Sequence, residues 1–329
     1  MNILRIGTLG CAKITPQALL HPAKKNDGAQ VVAVAARDSS KAQKFAKKHG
    51  IPKVHKDYAS LIQDSEIDAI YNPLPNSLHA EWSIRAMRAG KHVLCEKPMA
   101  SNAAEAERMK AVADEEGKIL MEAFHWRYHP LAERVVELLR AKTIGDVSRI
   151  EASFCIPLPF PSDIRYNPDL CGGALMDTGC YTVNILRHLM GEEPQVVSAR
   201  AKRASPNIDR YMEADLQFPG GAIGQIRCSI WGWPLVSVSA KIVGTLGSII
   251  VANPVIPHVL YHHLKVKSPT VNGTERFWGL STYDCQLETF IDAVRTGSTL
   301  HTDGEDAILN MKVIDDIYRK ADMHPRGLF

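Results

Sequence analysis

Two short stretches carry side chains able to move a proton or meet a developing charge. In "VLCEKPMA", residues 93–100, an acid and a base, Glu96 and Lys97, follow an apolar run and precede Pro98. Lys97 can face negative charge on an oxygen, and Glu96 can accept from a ribose hydroxyl or fix a loop amide. A residue before proline is driven out of the helical region, so Pro98 holds Lys97 extended. In "LCGGALMDTGCYTVNILRHLMG", residues 170–191, paired glycines precede a helical pattern that sets Asp177 and Tyr181 four apart on one face. An acid and a phenol so stacked form a candidate proton-transfer pair, although Asp177 can equally cap the helix and Tyr181 can equally pack.

Three further stretches suit a nucleotide. "ILRIGTLGCAKI" reads as a strand running into Gly7 and Gly10, spaced as GxxGxA through Ala12. Glycines let the backbone turn sharply and approach a pyrophosphate, whose charge then meets a helix N-terminus. The next strand ends "AVAARDSS", with Ala36 and Arg37 where an NAD-selective site keeps an acid. Arg37 can face a 2′-phosphate, which favours NADP, whereas Asp38 comes one residue late and can cap the following helix. In "YNPLPNSLHA", residues 71–80, two prolines fix a loop in which Asn76 or Ser77 can cap the next helix.

These residues need a scaffold, and the pattern supplies one. Strands are expected at 3–7, 30–36, 69–72, 92–95 and 118–123, and amphipathic helices at 39–50, 77–90 and 102–117. The last two helices run to Gly90 and Gly117, as helix C-termini often do. Alternating strand and helix implies a parallel, doubly wound sheet, whose ligands bind beyond the carboxyl ends of the strands. After about residue 145, strands at 148–156, 213–233 and 239–253 are joined by tight turns such as "FPGGA". The second half is therefore read as a largely antiparallel open sheet, closed by helices at 283–296 and 304–321. The expected division is 1–124 for the dinucleotide domain and 125–329 for a substrate-binding and oligomerisation domain.

The bulk properties narrow the class. A chain of 329 residues is long for one core, and 45% hydrophobic with 23% charged residues is an ordinary globular balance. The net charge of +3 gives no nucleic-acid surface, and no run of 18 apolar residues suggests a membrane span. Seven cysteines without a CxxC pair fit neither a disulfide scaffold nor a zinc site. No metal is expected, and a cytoplasmic, reduced chain is.

Together the segments "GTLGCAKI", "AARD", "PLPNSLHAEW", "AGKHVLCEKPMA", "MEAFHWRYHP", "DIRYNPDLCGGALMDTGCY", "IVGTLGSIIVANP" and "EDAILNMKVIDDIYR" resemble the Gfo/Idh/MocA oxidoreductases in order along nearly the whole chain. The EKP triplet is the most specific mark. The resemblance implies a Rossmann domain, a C-terminal α+β domain with a large open sheet, and dimers or tetramers packed through that sheet. It gives Lys97 a substrate-oxygen contact with help in proton transfer, and sets Glu96 near the nicotinamide ribose. Cofactor contacts are implied at Gly7, Gly10, Cys11, Ala12, Arg37, Pro73, Leu74, Asn76, His79, Glu96, Lys97, Trp126 and Arg127.

Inositol-dehydrogenase-like members carry a histidine where this chain has Tyr181. The tyrosine resembles the branch of glucose–fructose oxidoreductase, NADP-dependent D-xylose dehydrogenase and dimeric dihydrodiol dehydrogenase. The implied reaction moves hydride between nicotinamide C4 and a carbinol or carbonyl carbon of a sugar, polyol or diol. A free phenol, with a pKa near ~10, is a poor base at neutral pH, and a cationic lysine nearby lowers it. Asp177 orients the substrate or Lys97, and Trp126 and Arg165 lead the candidates for the substrate wall. An NADP-dependent aldose dehydrogenase is the first expectation. A dihydrodiol dehydrogenase or ketosugar reductase is the alternative, and a nucleotide-binding regulator the rival from another class.

Overall fold

Strand β1 (Leu4–Leu9) is apolar and nearly all buried, and the chain then turns into α1 (His21–Lys25) through a π-turn at Pro16–Leu20. There follow β2 (Ala29–Ala35), α2 (Ser39–His49), β3 (Lys53–His55), α3 (Tyr58–Ile62), β4 (Ala69–Asn72), α4 (His79–Arg88), β5 (His92–Cys95), α5 (Ala103–Glu115) and β6 (Leu120–Glu122). The strands form one parallel sheet in the order β3-β2-β1-β4-β5-β6, a Rossmann arrangement. All four residues of β4 are buried, Asn72 included, which explains why its sequence shows no apolar–polar alternation. Helix starts are fixed by side chains. Asp38 accepts from Ser40 N and Lys41 N, Asp57 makes a capping box with Ser60, and Asn102 accepts from Glu105 N. Each such cap is worth about 1 kcal/mol.

The computed structural model describes residues 3–259 and 261–327, and these divide into two units. The first is the chain up to Phe124 together with Tyr283–Ile308, and the second is His125–Thr282 with the chain from Leu309 onward. Sequence alone assigned 283–308 to the second region. In the structure this stretch packs with the first sheet, where Thr302 Oγ1 donates to Glu122 O at 2.8 Å and Arg295 donates to Gly28 O at 3.2 Å.

The second unit begins with α6 (Pro130–Arg140), which no expected element anticipated, then β7 (Val147–Cys155) and α7 (Cys180–Met190). Next come β8 (Gln195–Ser205), β9 (Ile208–Gln217), β10 (Ile223–Ser229), β11 (Ser237–Gly244), β12 (Gly247–Ala252), β13 (His263–Lys267) and β14 (Asn272–Glu275). Their sheet runs β14-β13-β12-β11-β7-β10-β9-β8, with every neighbouring pair antiparallel except β7 and β10. The "FPGGA" turn closes the β9–β10 hairpin through Phe218 N to Ala222 O at 2.9 Å. One face of this sheet buries Ile150, Ala152, Met212, Ala214, Ile226 and Cys228, and α7 packs on β7 and β10. The opposite face is polar, with Arg149 paired to Glu151 and Arg200 to Glu213. Helix α8 (Thr282–Thr296) returns the chain to the first unit, and α9 (Gly304–Lys320) runs from the first unit into the second.

Candidate active site

In the first unit the EKP corner is fixed from three directions. Lys97 is half-buried just past the carboxyl end of β5, as its position in the sequence requires, and the Lys97–Pro98 peptide is cis. The Tyr71 phenol, on β4, donates to Glu96 Oε1 at 2.8 Å, and Lys97 N donates to Glu96 Oε2 at 3.3 Å. Glu96 thus fixes its own loop amide, one of the two roles its type allowed. Burial, with the Glu96 charge beside it, pushes the Tyr71 phenol well above its ordinary pKa, so it stays a donor. From behind, His79 Nδ1 lies 2.9 Å from Pro98 O and its Nε2 lies 2.6 Å from Leu74 O. Buried Glu122, at the end of β6, accepts from Met99 N at 2.7 Å.

His79, an expected cofactor contact, is 1% exposed and ties the proline loop to the EKP corner. Burial drives its pKa down to about 4, although both carbonyl acceptors favour its cation. Asn72 organises the same loop, donating to His79 O and Ser83 Oγ and accepting from Leu74 N. Pro73 and Leu74 are buried there, and Asn76 is half-buried. Helix α4 follows a 3-10 turn at Asn76–Leu78 and takes Leu78 as its N-cap residue, where Asn76 or Ser77 was expected.

The dinucleotide turn divides its labour between two glycines. Gly7 lies inside β1, where a Cβ would stand 2.8 Å from Leu61 Cδ2, so this glycine serves packing. Gly10 turns the chain at φ +79°, a conformation that favours glycine, and its N–H donates to Ala35 O at 2.6 Å. Cys11 and Ala12 follow, both half-buried, and burial raises the Cys11 thiol pKa. Among the described residues, Thr8 Oγ1 and Thr15 Oγ1 flank this turn buried and without hydrogen-bond partners, so the turn fits a ligand rich in acceptors. At the end of β2, Arg37 is exposed, while Asp38 is held by the α2 N-terminus, whose amides lower its pKa together with the Ser40 hydroxyl.

In the second unit the acid and the phenol take different partners. Leu175–Gly179 winds as a π-turn before α7 starts at Cys180. The expected α-helical face shared by Asp177 and Tyr181 therefore does not form in that register, and π-turns of this kind often mark functional positions. Asp177 Oδ2 accepts from Arg165 Nε at 2.6 Å, and Arg165 Nη1 also reaches Asp163 Oδ1 at 3.1 Å. Arg165 and Asp177 thus meet as an ion pair, and the adjacent carboxylates raise the guanidinium pKa further. Tyr181 is 6% exposed, packs against Phe154 with centroids 5.5 Å apart, and its hydroxyl lies 3.1 Å from His125 Nε2. His125 Nδ1 in turn lies 2.7 Å from Thr282 Oγ1.

The π-turn is anchored by a buried charge cluster. Asp209 Oδ2 accepts from Leu175 N at 2.7 Å, while its Oδ1 accepts from Arg326 at 2.7 Å and from the Tyr318 phenol at 3.0 Å. Arg326 Nε donates to Gly172 O at 3.0 Å. Both charges are buried, so each satisfies the other. No motif announced Asp209, Arg326 or Thr282, and His125, within "MEAFHWRYHP", was given no role.

Trp126, expected as a cofactor and substrate contact, belongs to the core of this unit. It is 2% exposed, donates from Nε1 to Asn184 Oδ1 at 3.1 Å, and meets His188 edge-on at 5.4 Å. An indole N–H must find a partner when buried, and Asn184 provides it. Arg127 beside it is also buried. Among the described residues, no group of His, Cys, Asp or Glu side chains is arranged to hold a metal, and no helix is long and apolar enough to cross a membrane.

Comparison with known proteins covers both units. Residues 4–124 match the model of an oxidoreductase family with an NAD-binding Rossmann fold, and residues 132–250 match the GFO/IDH/MocA C-terminal domain. The chain is 34% identical over 322 residues to D-xylose 1-dehydrogenase (NADP(+)) 2 of Haloferax volcanii, covering 97% of this chain and 98% of that one. It is 37% identical over 251 residues to trans-1,2-dihydrobenzene-1,2-diol dehydrogenase of Xenopus tropicalis, covering 75% and 72%. The crystal structure of KijD10, a 3-ketoreductase from Actinomadura kijaniata in complex with NADP and TDP-benzene, superposes with a TM-score of 0.90 at 29% identity over 97% of this chain and 98% of that one. With both domain models matched in order around the EKP and DTGCY segments, this chain belongs to the Gfo/Idh/MocA family of nicotinamide-dependent oxidoreductases.

Proposed function

We propose that this protein is an NADP-dependent dehydrogenase of aldoses, of the D-xylose type, with Lys97 and Tyr181 acting on the substrate oxygen. The observation that carries it is the near-complete match across both units to an NADP-dependent D-xylose dehydrogenase. The exposed Arg37, beside an Asp38 committed to capping, supports the phosphorylated cofactor. When bound, the nicotinamide supplies the hydride acceptor at C4. Gly10 and the turn around it would cradle the pyrophosphate, and Arg37 would meet the 2′-phosphate. The Lys97 ammonium faces the oxygen as negative charge develops, which is where a fixed cation lowers the barrier. Tyr181 exchanges the hydroxyl proton, and Arg165 with Asp177 presents paired polar edges to the sugar hydroxyls. Assembly through the open face of the second sheet belongs to the same proposal.

A second substrate class has its own support. Likeness to the 3-ketoreductase and to the diol dehydrogenase favours a ketosugar or a trans-diol at the same site. Nicotinamide fluorescence titration followed by turnover on aldoses, polyols, trans-diols and ketosugars separates the two. Aldose oxidation with NADP is the expected result, and a preference lost in Arg37→Ala is its companion. Tight NADP binding with no turnover on the whole panel would leave a nucleotide-binding regulator instead.

A further inference from the structure

Tyr181 is 6% exposed and its hydroxyl meets a buried histidine, which gives its proton a route other than direct exchange with bulk water. We propose that His125, Thr282 and His258 form a proton relay between Tyr181 and solvent, an inference that rests on the function proposed for Tyr181. The groups form one hydrogen-bonded line within the second unit. Tyr181 Oη lies 3.1 Å from His125 Nε2, His125 Nδ1 lies 2.7 Å from Thr282 Oγ1, and Thr282 Oγ1 lies 3.4 Å from His258 Nδ1. His125 is 2% exposed and Thr282 is fully buried, whereas His258 is half-exposed beside the exposed Val259 and Tyr261. The line therefore runs from an enclosed phenol to a ring at the surface.

The backbone orients the protons. Thr282 N donates to His258 Nδ1 at 3.3 Å, so before transfer that nitrogen is an acceptor and the neutral His258 carries its proton on Nε2; the transfer gives up this bond. The rest of the line then has two self-consistent settings. In one, His125 Nδ1–H donates to Thr282 Oγ1 and Tyr181 donates to His125 Nε2, so the histidine is ready to take the phenol proton. In the other, Thr282 donates to His125 Nδ1 and His125 Nε2–H donates to Tyr181, whose own hydroxyl proton can then go to a substrate oxygen. One hop along each bond, with a substrate hydroxyl proton entering at Tyr181 and the Thr282 proton leaving to His258, converts the first setting into the second.

The balance for oxidation is one hydride and one proton. The carbinol C–H bond breaks and its hydride goes to an oxidised nicotinamide dinucleotide. The hydroxyl proton goes to the Tyr181 oxygen as the Tyr181 proton passes to His125 Nε2. The His125 Nδ1 proton passes to Thr282 Oγ1, the Thr282 proton to His258 Nδ1, and the His258 Nε2 proton leaves to water. Carbonyl reduction runs the same hops backward. The 3.4 Å step from Thr282 to His258 is the longest and should limit the transfer. His129 lies near both His258 and His262; burial, reinforced by both rings, lowers the His129 pKa to about 4.

The test compares His125→Ala, Thr282→Val and His258→Ala with the wild type, in dilute buffer and with added imidazole. Positioned proton transfer contributes roughly 10²–10⁴-fold, so His125→Ala should lose kcat by about 10²-fold while KM and NADP affinity stay within about twofold. Imidazole should restore a substantial part of that loss, and His258→Ala should lose less and recover with small buffer bases. A kcat held within about twofold, or a loss that no added base lifts, overturns the relay and leaves His125 as packing. Should His125→Ala not fold, the other two variants carry the same outcomes. Wild type that turns over nothing refutes the proposed function alone, and ¹⁵N NMR still reads the relay. His258 should be the Nε2–H tautomer, and Thr282→Val should change the His125 tautomer balance; a His125 signal indifferent to that substitution contradicts the relay.

Discussion

The EKP corner of the first unit and the DTGCY corner of the second use different means to hold the side chains proposed to react. Around Lys97 the supports lie at strand ends of one parallel sheet: Tyr71 on β4, Glu122 on β6, and His79 at the start of α4. Tyr71 bonds the Glu96 side chain, while Glu122 and His79 bond the backbone of the corner, so the support is shared among three side chains. Around Tyr181 the supports come from distant chain segments and lean on buried charge, with Asp209 and Arg326 separated by 117 residues. A parallel sheet delivers its loops to one edge automatically. A mixed sheet does not, and here a π-turn must be tethered by an ion pair.

That contrast predicts unequal fragility. Asp209→Ala strands the buried Arg326 guanidinium and releases Leu175 N, so it should cost about 3–5 kcal/mol, read by chemical denaturation. Loss of less than about 1 kcal/mol would mean that the π-turn holds without its tether. Acid should reveal the next largest effect. His79 is neutral when folded, with its pKa near 4, whereas the unfolded side chain has the ordinary value near ~6.5. The unfolded chain therefore binds the extra proton first, and this contribution, on the order of 3 kcal/mol, is present in full above about pH 6.5 and lost as pH falls toward 4. His79→Asn should flatten the pH dependence of stability across that window. Tyr71→Phe should cost least, about 1–2 kcal/mol, since Glu96 keeps its contact with Lys97 N.

The same contrast explains what could be read from sequence. Strands β4 and β5 were placed to the residue because apolar runs bounded by loop residues have few alternatives. Lys97, Glu96, Asp177 and Tyr181 stood out because each sits in a contiguous motif. Arg165 was named, but its pairing with Asp177 is a tertiary fact. His125 and Thr282 are single polar residues 157 positions apart, and nothing local marks either as a partner of Tyr181. Trp126 was expected in a pocket wall, and the structure buries it against Asn184 and His188; an aromatic beside an arginine suits a wall and a core equally well. The exposed edge strand β8 and the short helix-first start at α6 were missed because weak alternation and a lone proline give little periodic signal.

The central claim is that Lys97 and Tyr181 carry the chemistry while the dinucleotide turn carries the cofactor. Lys97→Ala and Tyr181→Phe, assayed together for NADP affinity by fluorescence and for kcat on the oxidised aldose, test it most directly. The account predicts kcat lower by about 10²–10⁴-fold in both, with NADP affinity nearly unchanged. Normal turnover in both variants would contradict it.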